Sequence, residues 1–402
     1  MKKFIVGGLL LSVSSAALAL QQVPVTTEHQ PNEHTMACLE APTRDCAFTA
    51  ALQTVISEEF GIERAKVLIG IARSMIATGQ DKQAVQTLML ALDEARSVRL
   101  SLVTREKITE IAPLLARAGD SASALALVGE LENQSIKDLV LFKIATEAAF
   151  RGKIADARVA LRQTQNQARA FWRELTLLAR SSKEALAGLD FAELGGRIRA
   201  MERTEQRYQG LIQLAIIADR MGDAGERNAL ITEADELFTS VVGIHHRADA
   251  TAARARNMFE AGMDPAFVTA SYELAVTHGN RLRGSEALTS FADQVGAIEA
   301  ASGNLEMALR RLEVFEDLAA KAKYISQLQA GRDESLLAAE IRGMLTQVGE
   351  IEGAYDRDLV RLTLLEGAIS NEDAYLARQI VMAIEDDDNQ AYALALMAPL
   401  LD

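Results

Sequence analysis

In LIGIARSMIATGQDKQAVQTLMLALDEA, residues 68–95, apolar residues recur every three or four positions, the spacing of a helical face. The run is interrupted by Gly79, then Gln80 and Asp81. A glycine within a helix costs about 1 kcal/mol relative to alanine, so the pattern predicts two helices joined at Gly79. Ala72 and Met75 stand seven and four residues before the glycine, and Ala84, Leu88 and Ala91 stand five, nine and twelve after it. Each set falls on one helical face. Small residues at minus seven and plus five let the two axes cross closely.

The same offsets recur along the chain. Ala112, Leu115, Gly119, Ala124 and Val128 repeat them, as do Ala145, Ala148, Gly152, Ala157 and Leu161. Looser copies surround Gly222 (Ala215, Ala218), Gly262 (Ala255, Met258), Gly303 (Gly296, Ala308, Leu312) and Gly349 (Leu345, Ala354). Ser182 takes the glycine slot between Gly152 and Gly222. Successive slots lie 40, 33, 30, 40, 40, 41 and 46 residues apart, a period that signals stacked helical units. Each glycine is expected to end a first helix at positive φ, with Asp120, Ser121, Asp223 or Asn304 capping the second. Pro113 falls inside a first helix, where a kink is expected.

These motifs resemble the tetratricopeptide repeat over roughly residues 60–360. They depart from it in period and lack its usual Trp and Pro, which leaves a HEAT-like or Sel1-like helical repeat open. The resemblance implies an all-α fold: a right-handed α-solenoid of about eight hairpins. The solenoid is expected over 47–385, with residues 386–402 as a C-terminal capping helix.

Composition fits this reading: 49% hydrophobic residues, 5% aromatic, few prolines. The N-terminus changes the picture further. Lys2 and Lys3 precede a short apolar run and Ala17-Leu18-Ala19, which reads as a secretory signal peptide over 1–19, cleaved after Ala19. An exported, periplasmic or secreted protein with no membrane insertion after cleavage is expected. Removing the two lysines takes the formal net charge from −14 to −16, which argues against nucleic acid. Residues 20–46 read as a linker. Its two cysteines, Cys38 and Cys46, are the only ones in the chain and are expected to pair in an oxidising compartment.

Chemistry is sparse. No nucleophile elbow, phosphate loop or His-Glu-x-x-His motif occurs, and neither a cofactor nor a metal is expected. His245 and Asp249, four apart, offer two ligands where a metal needs more. Asp386-Asp387-Asp388 lacks EF-hand spacing and reads as a helix-capping turn. Trp172, beside Phe171 and Leu175, reads as core. Glu334-Ser335 resembles the start of a lytic transglycosylase site, but only 67 residues follow Ser335, too few for a lysozyme-like domain.

In tetratricopeptide units the first helix lines the concave face. By the family's offsets the inward positions here include Lys66, Ile69, Arg73, Glu106 and Thr109. Further along they include Gln209, Ile212, Asp219, Asp249, Arg256 and Asp293. Such a mixed-charge groove suits a peptide or an extended protein segment. The leading expectation is therefore a non-enzymatic envelope scaffold for a protein or peptide partner. The competing ones are an envelope enzyme, such as a peptidoglycan-acting one using Glu334, and a structural protein that makes its contacts through the convex surface.

Overall fold

The computed structural model describes residues 31–57, 61–98, 100–329 and 334–401. The expected signal peptide lies outside them. Among the described residues the chain is all-α, without strands, and consecutive helices pair as hairpins in the manner of an α-solenoid. It divides into two compact units, residues 1–131 with 347–402, and residues 132–346.

The first unit begins with α1 (Pro31–Glu40) and α2 (Arg44–Ser57), so helix occupies part of the segment read as a linker. The Cys38–Cys46 disulfide joins them, with Cα atoms 5.6 Å apart. The chain-entropy treatment values so short a loop at about 2–3 kcal/mol. Two hairpins follow: α3 (Gly61–Ala77) with α4 (Asp81–Ser97), and α5 (Ser101–Arg117) with α6 (Ser121–Gly129). Helix α5 runs on through Pro113.

The second unit contains α7 (Gln134–Phe150) with α8 (Ile154–Arg162), and α9 (Gln167–Ala179) with a broken partner. That partner is a 3₁₀ turn, Glu184–Leu186, followed by α10 (Phe191–Arg199). Next come α11 (Thr204–Met221) with α12 (Ala224–Phe238), α13 (Ile244–Glu260) with α14 (Pro265–Gly279), and α15 (Ser285–Ala301) with the short α16 (Leu305–Arg310). Helices α17 (Leu318–Ile325) and α18 (Glu334–Val348) complete the series. The first unit then resumes with α19 (Ala354–Ser370), α20 (Ala374–Ala383) and α21 (Asp387–Met397).

The glycine punctuation is confirmed at six slots. Gly79, Gly119, Gly152, Gly222, Gly262 and Gly303 all have positive φ, each between the two helices of a hairpin. The small residues that flank them, including Ala72, Ala84, Ala112, Ala124, Ala145 and Ala308, are fully buried. Asp120 and Asp223 cap second helices as expected, accepting from Ser123 N and Glu226 N. Ser121 is instead the first residue of its helix, and Asn304 makes no side-chain cap.

Gly349 is a correction. It lies between α18 and α19 and is not among the positive-φ residues. The left-handed turn of the last hairpin falls at Glu372, φ 57°, between α19 and α20. Because a side chain sits there, a search for glycine passes over it.

Two buried carboxylates tie hairpins together in the same way. Asp138 on α7 accepts the backbone N–H groups of Gln165 and Asn166, 3.1 Å each, and the Gln134 amide at 2.8 Å. Asp358 on α19 accepts those of Glu385 and Asp386, 3.1 and 3.0 Å away. In both cases the acceptor lies 27 and 28 residues before its donors and 14 before the left-handed turn. The second donor of each pair is the N-cap of a helix, Asn166 for α9 and Asp386 for α21. Each latch thereby fixes where a helix starts. Burial would raise the Asp138 carboxyl, but the N–H donors and Arg169 outweigh it and hold the carboxyl below its ordinary value.

Beside the second latch, Glu385 accepts from Arg357 at 2.7 and 2.5 Å and from Arg361 at 2.8 Å. These hydrogen bonds hold its carboxyl down at about 2, against an ordinary 4.5. A depressed folded-state value means the contribution is complete above about pH 4.5 and is lost as pH falls towards 2. Glu385→Gln should therefore flatten the fall in urea midpoint between pH 4.5 and 2 and leave it unchanged in shape above pH 5. A parallel acid limb in both proteins would count against this pairing.

Candidate functional site

On α3 the residues expected to face a groove meet the chain's own C-terminal helix. Every residue from Val67 to Ala72 is buried, Ile69 with 1% exposure. Helix α21 packs on α3 and α2. Tyr392 of α21 lies over Gly70, where an added Cβ would stand 2.6 Å from the ring. The Arg73 guanidinium donates to the Tyr392 hydroxyl at 3.0 Å. Burial pushes the Tyr392 phenol up, with Arg73 opposing it. Arg44 of α2 donates to the Leu401 carbonyl at 3.1 Å. The expected capping helix is thus a seated helix, and its N-cap Asp386 accepts from Asn389 N at 2.8 Å. Lys66 is half-buried beside Glu63 at 3.6 Å. On α5, Glu106 is exposed and Thr109 donates to its carbonyl at 2.7 Å.

In the second unit Ile212 is 1% exposed and sits in the core, and Gln209 is half-buried. Every residue of α11 from Gly210 to Ala218 is buried. Asp219 pairs with Arg227 of α12 at 2.7 Å, inside its own hairpin. Packing of α13 on α15 brings two expected residues together: Arg256 donates to the Asp293 carbonyl at 2.8 Å and to the Glu260 carboxylate at 2.7 Å. Burial pushes the Asp293 carboxyl up against the pull of Lys323 and Arg256. It also pushes up that of Asp249, against His245 and His246. Both histidines are exposed, and among the described residues no group of three or more His, Cys, Asp or Glu side chains could hold a metal. The Glu334 side chain lies outside the described residues.

Two features were not read from the sequence. Where the partner of α9 is broken, a cavity of about 420 Å³ opens between α8, α9 and α10. Arg197 stacks over Phe171 there, 3.9 Å from the ring centroid, and Arg158 pairs with Glu174 at 2.8 Å. Its lining carries as many carboxylates as guanidiniums, so it has no net preference for charge. The other feature is a face of α9 carrying Arg169, Trp172, Arg173, Thr176 and, at the helix end, Arg180. Trp172 is half-buried against the core of the unit, and Arg169 and Arg180 are exposed. The signal was visible in RAFWRELTLLAR as arginines four and eleven residues apart.

The fold and these surfaces define an all-α protein of helical hairpin repeats. No known family matches the chain, and no curated protein does. Among solved structures it is similar to a circular tandem repeat protein with novel repeat topology and enhanced subunit contact surfaces. The two share 14% identity over 96% of this chain and 98% of that one, at a TM-score of 0.19, which is too low to transfer shape or function.

Proposed function

We propose that this chain is a non-enzymatic binding protein of the tetratricopeptide-like kind. It is exported through its 1–19 leader to the periplasm, where it offers a helical face to an envelope protein or peptide. The observation that carries the reading is the outward face of α9. It carries the chain's one tryptophan, half-buried against the core, between arginines on a helix fixed by the Asp138 latch. Trp and Arg are the side chains most enriched where interfaces concentrate their energy, and a site on a packed helix is pre-organised. Recognition requires no chemical step, cofactor or nucleic acid.

Arg73 and Arg256, two of the expected groove residues, already serve the fold through Tyr392 and Asp293. Charge reversal there reports on stability as well as on capture. The cleaner test is fractionation of the native cell followed by crosslinking and peptide mapping. The protein should appear in the exported fraction, beginning after Ala19, with a reproducible partner adduct mapping to residues 167–180. Retention in the cytoplasm, or no adduct at those residues, would refute the proposal.

A further inference from the structure

The arginines on α9 make a local positive field in an acidic protein. At 100° per residue, positions 169, 173 and 180 lie within about 40° of one another around the helix, a single stripe. Arg173 is half-buried and has no hydrogen bond or ion pair among the described residues. Burial, and then Arg169, lower its pKa; burial, Arg256 and Arg173 do the same for Arg180. These guanidiniums stand within one another's field. The carboxylates around the helix are already engaged: Asp138 by two backbone N–H groups and the Gln134 amide, Glu174 by Arg158, and Glu260 by both Arg180 and Arg256. Arg180 therefore has a partner of its own, and Arg169 lies over the Phe142 ring, 5.0 Å from its centroid, which leaves Arg173 without a counter-charge among the described residues. A half-buried cation facing its own kind is unfavourable for folding alone, so the arrangement is matched to an anion from outside.

We infer that this face of α9 binds an acidic segment of a partner protein in extended form, with Trp172 as the apolar anchor. The inference rests on the reading of the chain as a binding protein. Dimensions favour a peptide over a small anion. Arg180 is paired with Glu260, so Arg169 and Arg173 are the guanidiniums left to an outside anion. Arg169 and Arg173 are separated by about 6 Å along the axis, close to the roughly 7 Å between alternate side chains of an extended strand. Two acidic residues at alternate positions would meet these two guanidiniums, and Arg binds carboxylates in a two-pronged geometry. The net charge of −14 repels a long polyanion beyond this stripe.

Trp172 is the sole tryptophan, so its emission reports on this face alone. The probe is a ten-residue peptide alternating Glu and Ser, titrated into the full chain. A saturable change in emission is expected, weakening steeply with added salt. Arg173→Gln should raise Kd about tenfold, as expected for loss of a charge-assisted contact, and Arg169→Gln with Arg173→Gln still further. Arg310→Gln, an exposed arginine on α16 paired with Glu306, should leave Kd unchanged. A peptide alternating Lys and Ser should not bind. The inference is overturned by no saturable change in either Trp172 emission or the anisotropy of a labelled probe, or by an unchanged Kd in Arg173→Gln. It is also overturned by equally tight binding of a single-stranded oligonucleotide, which would make the face a general polyanion site. If the probe fails while partner adducts still map to residues 167–180, only the acidic chemistry is wrong. If those adducts are missing too, the binding reading falls with it.

Discussion

A single methyl group added at Gly70 should loosen the C-terminal helix. The Cβ of Gly70→Ala would stand 2.6 and 3.1 Å from two ring carbons of Tyr392 and 3.3 Å from its carbonyl oxygen. α3 is buried along this whole stretch, so the strain is taken up by shifting α21. Overpacking of this kind costs about 1–3 kcal/mol. Leu394→Ala on the same helix removes a fully buried side chain and should cost about 2–5 kcal/mol. Amide hydrogen exchange should show faster exchange at residues 387–397 in both variants. Tyr392→Ala in the Gly70→Ala background should recover part of the loss, because the two side chains compete for one space. Strict additivity of the two substitutions would show that Tyr392 and Gly70 do not share that space.

The second large effect is expected at Asp358. Its carboxylate is fully buried and accepts from Glu385 N, Asp386 N and the Arg361 guanidinium, the last at 2.8 Å. Asp358→Ala leaves two backbone donors and a buried arginine short of an acceptor. Breaking such a buried charge pair costs about 3–5 kcal/mol. The start of α21 is tied there, so the loss should appear as faster exchange at 385–390 before the rest of the first unit opens. Asp138→Ala should cost about 2–3 kcal/mol and free the start of α9, with faster exchange at Gln165 and Asn166. Urea unfolding followed by peptide-level exchange separates the two latches. Uniform destabilisation of both units by either substitution would argue against local latching.

The hairpins were legible because their rules are local. A glycine at positive φ and small residues at fixed offsets specify a turn and a helix crossing without reference to the rest of the chain. The register failed at the end for an equally local reason. Glu372 takes the left-handed conformation without being glycine, so Gly349 drew the pattern onto a junction without a left-handed turn. Two of the groove positions depart from expectation for a different reason. Family offsets make Ile69 and Ile212 inward-facing, and both are core. Their surroundings, VLIGIA and LIQLAII, are apolar save for Gln213, which marks a helix covered on all sides. That signal was present but was outweighed by the repeat template. The cover on α3 was not legible, since the contact between Arg73 and Tyr392 spans 319 residues of sequence and no short-range pattern announces it. The arginine stripe was legible as spacing. Its consequence depended on finding that the neighbouring carboxylates were already engaged.

The central claim is that this chain binds its partner through α9, while the corresponding face of α3 is filled by the chain's own α21. Site-specific photocrosslinking in the native cell tests it most directly, with the photoreactive residue placed at Thr176 in one variant and at Lys66 in another. Partner adducts are expected from position 176 and none from position 66. Adducts from position 66 with none from position 176 would contradict the claim.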